Sequence, residues 1–227
     1  MLEKDGLFAK HDMTKHVYLV RHGETDSNVD GIARGDTAML NDLGREQAAT
    51  VAGRFEGLKI DALISSPYPR TMETSRFIEE QLHLPIEESA FFTEYRGPSQ
   101  RLGLHRDDPE MRALTHEIFE GYLIPGHRHS DEENFEDLKE RALNALAFLA
   151  AHPKQHIAVV THNLFSRILF CAAVFGADFS GHEMRMMTRG LQMNNTGISH
   201  FEYKSDPLDP EKYRWFARAW NDTCHLG

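Results

Sequence analysis

The sequence predicts a three-layer α/β sandwich built on a mostly parallel central sheet. Three observations carry this. Short apolar runs recur at residues 16–20, 62–66 and 156–161. Each is followed by a segment whose apolar residues fall three to four apart, the spacing of an amphipathic helix. Strands that alternate with helices of this length form parallel sheets covered on both faces.

The elements follow in order. Residues 1–14 are polar and aperiodic and read as an N-terminal tail. They carry charges throughout, unlike a secretory signal. Residues 15–227 read as one domain. The run at 16–20 is a buried strand that ends at Arg21-His22-Gly23. Asn41 is suited to cap a helix running to about residue 55, with Leu43, Ala48, Val51, Ala52 and Phe55 on one face. Residues 62–66 form a second strand. Pro69 suits the first turn of the helix after it, continued by Met72, Ser75, Ile78 and Leu82. Residues 97–129 mix Gly, Pro, His and charge, with weak helical periodicity at 110–122, and read as a cap inserted into the domain. Ser130-x-x-Glu133 has capping-box spacing and should open a helix bearing Phe135, Leu138, Ala142, Ala145 and Leu149. A third strand at 156–161 leads directly into a helix at about 163–175. Two alternating segments, 197–203 and 213–220, read as late strands at an antiparallel edge.

Composition narrows the function. The 227 residues include 25 Lys+Arg and 35 Asp+Glu, a net charge of −10. Nucleic acids and anionic membranes need a basic surface, so neither is an expected partner. A small anionic substrate needs only a local positive pocket. No apolar run approaches the ~20 residues of a membrane span. Two cysteines, Cys171 and Cys224, make neither a disulfide framework nor a Cys-type zinc site. Reduced thiols in a cytoplasmic protein are the expectation. Nothing in the sequence speaks to oligomeric state.

Chemistry concentrates at three strand ends. The first carries Arg21-His22-Gly23-Glu24-Thr25 and then Asn28, the second Ser65-Ser66-Pro67 and then Arg70, the third Thr161-His162-Asn163. Parallel sheets place ligands where strands end and helices begin. Two Arg, two His and an Asn would converge there, and that set suits a phosphoryl group. Arginine offers planar paired donors, imidazole a nucleophile or donor, and helix N-termini add amides. Any one of these residues alone reads more simply as structural; their conjunction at three strand ends reads as a site.

Val20-Arg21-His22-Gly23-Glu24-Thr25 resembles the signature of the histidine phosphatase superfamily, also called phosphoglycerate mutase-like. Asn28 falls where that family has its phosphate-contacting Asn. Leu40-Asn41-Asp42-Leu43-Gly44-Arg45-Glu46-Gln47-Ala48 resembles the family's Leu-Thr-x-x-Gly-x-x-Gln-Ala. The segment Ser65 to Thr74 resembles its Ser-Ser-Pro-x-x-Arg-x-x-x-Thr, and Val159-Val160-Thr161-His162 its second-histidine segment. Asn195-Thr196-Gly197-Ile198 and Asn221-Asp222-x-x-His225-Leu226 also resemble family segments, so the ordered matches span about residues 16–226. Asn163 stands where many members have Gly, and Glu94 lies in an altered context for the family's acid.

The resemblance implies a phosphoglycerate mutase-like fold and a catalytic set of His22, Glu94, Arg21, Arg70 and His162. His22 would attack phosphorus and form a phosphohistidine. Arg21, Arg70, protonated His162 and Asn28 would hold the oxygens, with Thr25 and the Asn163 backbone beside them. Glu94 would protonate the leaving oxygen and then activate water. No metal and no cofactor are implied, and the partner is a small phosphorylated substrate. Arg96, Arg101, His105 and Arg106 are candidates for an anionic substrate tail. Family mutases commonly have Trp before the Asn, where this chain has Ser27, so phosphatase is preferred to mutase. The rivals are a metal enzyme using His127 and His129, and a phosphate-binding module without turnover.

Overall fold

A computed structural model describes residues 14–227; of the expected tail, residues 1–13 lie outside the described residues. Six strands form one sheet. They are β1 (Lys15–Arg21), β2 (Ala62–Ser65), β3 (Ile86–Glu88), β4 (His156–Thr161), β5 (Ile198–Asp206) and β6 (Asp209–Asp222), in the order β3-β2-β4-β1-β5-β6. β1, β2, β3 and β4 run parallel, and β5 and β6 add an antiparallel edge. The helices are α1 (Asp26–Asp30), α2 (Asp42–Arg54), α3 (Pro69–Leu82), α4 (Pro109–Gly121), α5 (Phe135–Ala151), α6 (Asn163–Phe175) and α7 (Gly181–Gly190).

Strand side chains alternate between faces, so each face has its own core. Val17, Leu19, Ile64, Ile157 and Val159 pack with Leu138, Ala142 and Leu149 of α5 and Phe165, Ile168 and Leu169 of α6. Val20, Leu63, Ala158 and Val160 pack with Val51 and Ala52 of α2, Phe55, and Ile78 of α3. This gives the expected three layers. Among the described residues no helix is long and apolar enough to cross a membrane. Cys171 is buried, Cys224 is exposed, and neither is paired.

The structure corrects one helix start. The capping box of α5 is Asn134 with Asp137, not Ser130 with Glu133. Asn134 Oδ1 accepts from the Asp137 amide at 3.0 Å, and Asp137 returns the bond to the Asn134 amide. Glu133 is already committed: Arg141 grips its carboxylate at 2.8 and 2.9 Å. Ser130 instead bonds the neighbouring Glu132 through its amide and hydroxyl. The sequence reading also passed over α1, β3 and α7. The segment 97–129 contains α4, whose Leu114 and Ile118 join the α5/α6 core.

Candidate active site

His22 and His162 sit just beyond the carboxyl ends of the neighbouring parallel strands β1 and β4, where Arg21 is level with Thr161. Their rings are 5.3 Å apart, centre to centre, and both are buried.

The His22 loop is fixed by main-chain contact. A Cβ on Gly23 would lie 2.3 Å from the Gly44 carbonyl oxygen, and one on Gly44 would lie 2.0 Å from that of Glu24. No other residue fits either position. Residues from the start of α2 and from α3 complete the clamp. Asn41 accepts from the Gly44 amide at 2.8 Å and donates to the Glu24 carboxylate at 3.0 Å. Gln47 accepts from the Glu24 amide at 2.9 Å, and Thr74 Oγ1 from the Gly23 amide at 3.1 Å.

These contacts select one tautomer of His22. Its Nδ1 lies 2.7 Å from the Gly23 carbonyl oxygen, a bond that requires the proton on Nδ1. The Nε2 lone pair is therefore available, and Arg70 Nε donates to it at 3.2 Å. Burial, then Arg70 and Arg21, push the His22 pKa well below the usual imidazole range. That favours the neutral ring, with its lone pair on Nε2.

Positive donors surround it. Arg70 is oriented by the Gly35 carbonyl at 3.1 Å and by the Tyr68 ring, 5.2 Å away. Arg21 Nη1 donates to the Met193 carbonyl at 2.6 Å, while its Nε is buried with no partner. Burial lowers the Arg21 pKa to about 10, so it stays charged. His162 Nε2 pairs with Ser66 Oγ at 2.8 Å, and its Nδ1 is likewise buried without a partner. Burial, Arg70 and His22 hold His162 well below the usual range. Desolvation beside two arginines thus disfavours the protonated His162 that the resemblance implies; with Ser66 Oγ–H donating to Nε2, a neutral ring keeps Nδ1–H as a donor.

Asn28 Oδ1 accepts from the Thr25 amide and hydroxyl, both at 3.1 Å, and from Asn195 Nδ2 at 3.2 Å. Its oxygen is spent, which leaves the amide nitrogen for a ligand. Thr25 thus acts through Asn28. The Asn163 side chain accepts from Arg167 Nη2 at 2.7 Å and is committed to its own helix. Glu94 spans the first turn of α6. Its Oε1 accepts from the Phe165 and Tyr95 amides, both at 2.9 Å, and its Oε2 from the Leu164 amide at 3.1 Å. Its charge acts on Arg21, Arg70 and Arg167.

Beside Glu94 opens a cleft of about 440 Å³, lined also by Tyr68, Thr93, Arg96 and two ion pairs, Arg128 with Asp137 and Arg141 with Glu133. Of the residues expected to hold a substrate tail, only Arg96 lines it. Arg106 donates to the Asn28 and Val29 carbonyls. Arg101 stacks on Tyr95, and His105 accepts from the Asp107 amide. The rival metal pair does not form. His129 bonds Glu117 at 2.8 Å, whereas the His127 ring packs against Gly121.

A sequence profile described as the histidine phosphatase superfamily (branch 1) matches residues 17–223. The chain belongs to the histidine phosphatase superfamily. It is 27% identical over 212 residues to a protein named uncharacterized phosphatase PhoE of Bacillus subtilis strain 168, covering 92% of this chain and 96% of that one. It is 27% identical over 218 residues to the probable phosphoglycerate mutase GpmB of Cronobacter sakazakii, covering 92% and 94%. Bacillus stearothermophilus YhfR shares the fold, with a TM-score of 0.75, 22% identity, and coverage of 93% of this chain and 99% of that one. Relatives of this superfamily member thus include both phosphatases and mutases. Motif reading had not assigned Ser66, Asn195 or Arg167 to the site. The first two lie inside family motifs, whereas Arg167, a lone charge on an apolar helix, gave no signal.

Proposed function

We propose that this chain is a metal-independent phosphatase that hydrolyses small phosphomonoesters through a phosphohistidine on His22. One observation carries the reading: His22 Nε2 holds a lone pair, because Nδ1 is tied to the Gly23 carbonyl, and that lone pair meets Arg70 inside a ring of buried donors. Arg21 Nε and His162 Nδ1 are buried without acceptors, a cost of roughly 1–3 kcal/mol each. Phosphoryl oxygens supply those acceptors.

His22 Nε2 attacks phosphorus in line while the ester P–O bond breaks. Glu94, a carboxylate in the free site, takes up a proton from solvent as the substrate binds and gives that proton to the departing oxygen. Arg21, Arg70, His162 Nδ1–H and Asn28 Nδ2 hold the equatorial oxygens as charge redistributes. Glu94, now a carboxylate, takes a proton from water. That water attacks phosphorus, the P–N bond breaks, and the Nε2 lone pair returns to His22. Arginines supply the positive charge a metal would otherwise bring. The cleft by Glu94 receives the leaving group, with residues 97–129 as its cap. Two unpaired thiols suit the cytoplasm.

A mutase acting through the same site is the second reading, favoured by the relative named as one. Ser27, bonded to Arg34, stands against it where family mutases commonly have Trp. Incubation with a labelled aryl phosphate tests the proposal. Acid-labile, base-stable label should appear on wild type and be absent from His22→Ala, whose turnover should fall on the order of 10³-fold with the fold intact. Substantial turnover in that variant would refute the nucleophile. Label passing to 3-phosphoglycerate rather than to water would favour the mutase.

A further inference from the structure

A second cluster of titratable side chains lies at the opposite end of the same strands. His16 opens β1 and stands level with His156 of β4 on one side and Glu202 of β5 on the other. His200 stands level with Tyr18, one step along the same face. Rings order this patch. His156 stacks on His16 at 4.9 Å and 5°, and Tyr18 stacks on His200 at 4.6 Å and 7°. Tyr18 meets Phe55 edge-on at 6.3 Å, and Asp61 pins His156 Nδ1 at 3.0 Å. Both His16 and His200 are therefore held in orientation by a neighbouring ring.

Their nitrogens converge. His16 Nδ1 lies 3.2 Å from His200 Nε2 and 3.9 Å from Glu202 Oε1. The three ligand atoms all fall within 4.8 Å of one another. Nitrogens bound tetrahedrally to zinc at ~2.0–2.1 Å are separated by about 3.3–3.4 Å. The two imidazoles already have that spacing. Glu202 Oε1, 3.9 Å from His16 Nδ1 and within 4.8 Å of His200 Nε2, has to close by roughly half an ångström toward His16 and by up to about 1.5 Å toward His200, which a change of its side-chain torsions supplies. Glu202 Oε2 is anchored by Lys204 Nζ at 2.6 Å, which turns Oε1 toward His16. Arg218 competes for the carboxylate: its Nε lies 3.5 Å from Oε1, on a side chain 56% exposed and able to swing out. The His16 side chain is 27% exposed, so an ion can enter and water can complete its coordination.

We propose that His16 Nδ1, His200 Nε2 and Glu202 Oε1 bind one divalent transition-metal ion, with zinc the ordinary occupant for two imidazoles and a carboxylate. The ion clamps β1 to β5 at the end of the sheet away from His22. It is a structural ion, and its existence does not depend on what His22 does.

The test uses the whole chain, stripped with chelator and dialysed, then titrated with zinc by calorimetry and with cobalt(II) by visible absorption. One equivalent should bind, raise Tm, and give cobalt d–d bands of a low-coordinate site. His200→Asn and Glu202→Gln should each weaken zinc binding by about tenfold or more. Arg218→Gln should tighten it, and His129→Asn should leave it unchanged. Circular dichroism reports folding of each variant, and the surface change Arg218→Gln keeps the test decisive if His200→Asn does not fold. No heat and no Tm shift at millimolar zinc would overturn the proposal. So would equal affinity in wild type, Glu202→Gln and Arg218→Gln, or a loss confined to His129→Asn.

Discussion

β1 and β4 are each bracketed by histidines six residues apart: His16 at the start of β1 and His22 just past its end, His156 at the start of β4 and His162 just past its end. Their surroundings differ. His22 and His162, at the carboxyl ends, are buried against Arg21 and Arg70. His16 and His156, at the amino ends, are partly exposed and face Glu202 and Asp61. Cationic surroundings with unpartnered donors make a place for an anion. Carboxylates around half-open rings make a place for a cation. The lesson is that histidine at a strand end fixes no chemistry; the sign of the neighbouring charge and the depth of burial do.

The carboxylates give the largest test of that contrast. Glu94→Gln should slow phosphoenzyme formation from an alkyl ester by about 10²–10⁴-fold and from p-nitrophenyl phosphate far less, because nitrophenolate leaves without a proton. Asp61→Asn, at the other end, should leave both bursts alone. Pre-steady-state bursts with the two esters read this directly; equal slowing by Glu94→Gln would remove it as the acid.

The histidines of β4 come next. His162→Ala should lower kcat by roughly 10²–10³-fold, the usual loss of one donor to a developing charge. His156→Ala should leave kcat near wild type. Similar losses at both ends would erase the distinction.

The smallest effect is on stability. His22 and His162 are held neutral in the fold, so the unfolded chain binds more protons below an ordinary imidazole pKa of about 6.5. Their contribution is complete above that pH and is lost as pH falls. Urea melts should show unfolding free energy declining below pH ~6.5 by up to about 1.4 kcal/mol per pH unit for each ring. His162→Gln should flatten part of that slope. A stability flat from pH 7 to 5 would contradict burial of neutral rings.

Much of this was legible in the sequence, for physical reasons. The strands at 62–66 and 156–161 are buried on both faces over most of their length, and the one at 16–20 buries Val17, Leu19 and Val20 between partly exposed His16 and Tyr18, so all three read as apolar runs. Asn41 and Pro69 mark their helices by local chemistry that tertiary structure leaves alone. The start of α5 misled because two polar residues with an acid three further on stand four residues apart, and only the pairing of Arg141 with Glu133 separates them. β3 has three residues, two of them exposed glutamates, so it carries no burial pattern. α7 begins and ends in glycine, and its buried stripe is Met184 and Thr188. At the site, Arg21, His22, Arg70 and His162 were legible because each follows or lies near a strand end. The tie of Glu94 to the α6 amides was not, since it joins segments about seventy residues apart.

The contact between Gly23 and Gly44 has a consequence for speed. Side chains exchange rotamers in picoseconds to nanoseconds, whereas backbone seated on backbone has no such freedom. The His22 ring hangs from a main chain wedged against a helix, and a bond to the adjoining carbonyl stops it from turning. The disorder that would otherwise be lost at each encounter with substrate was lost once, when the chain folded.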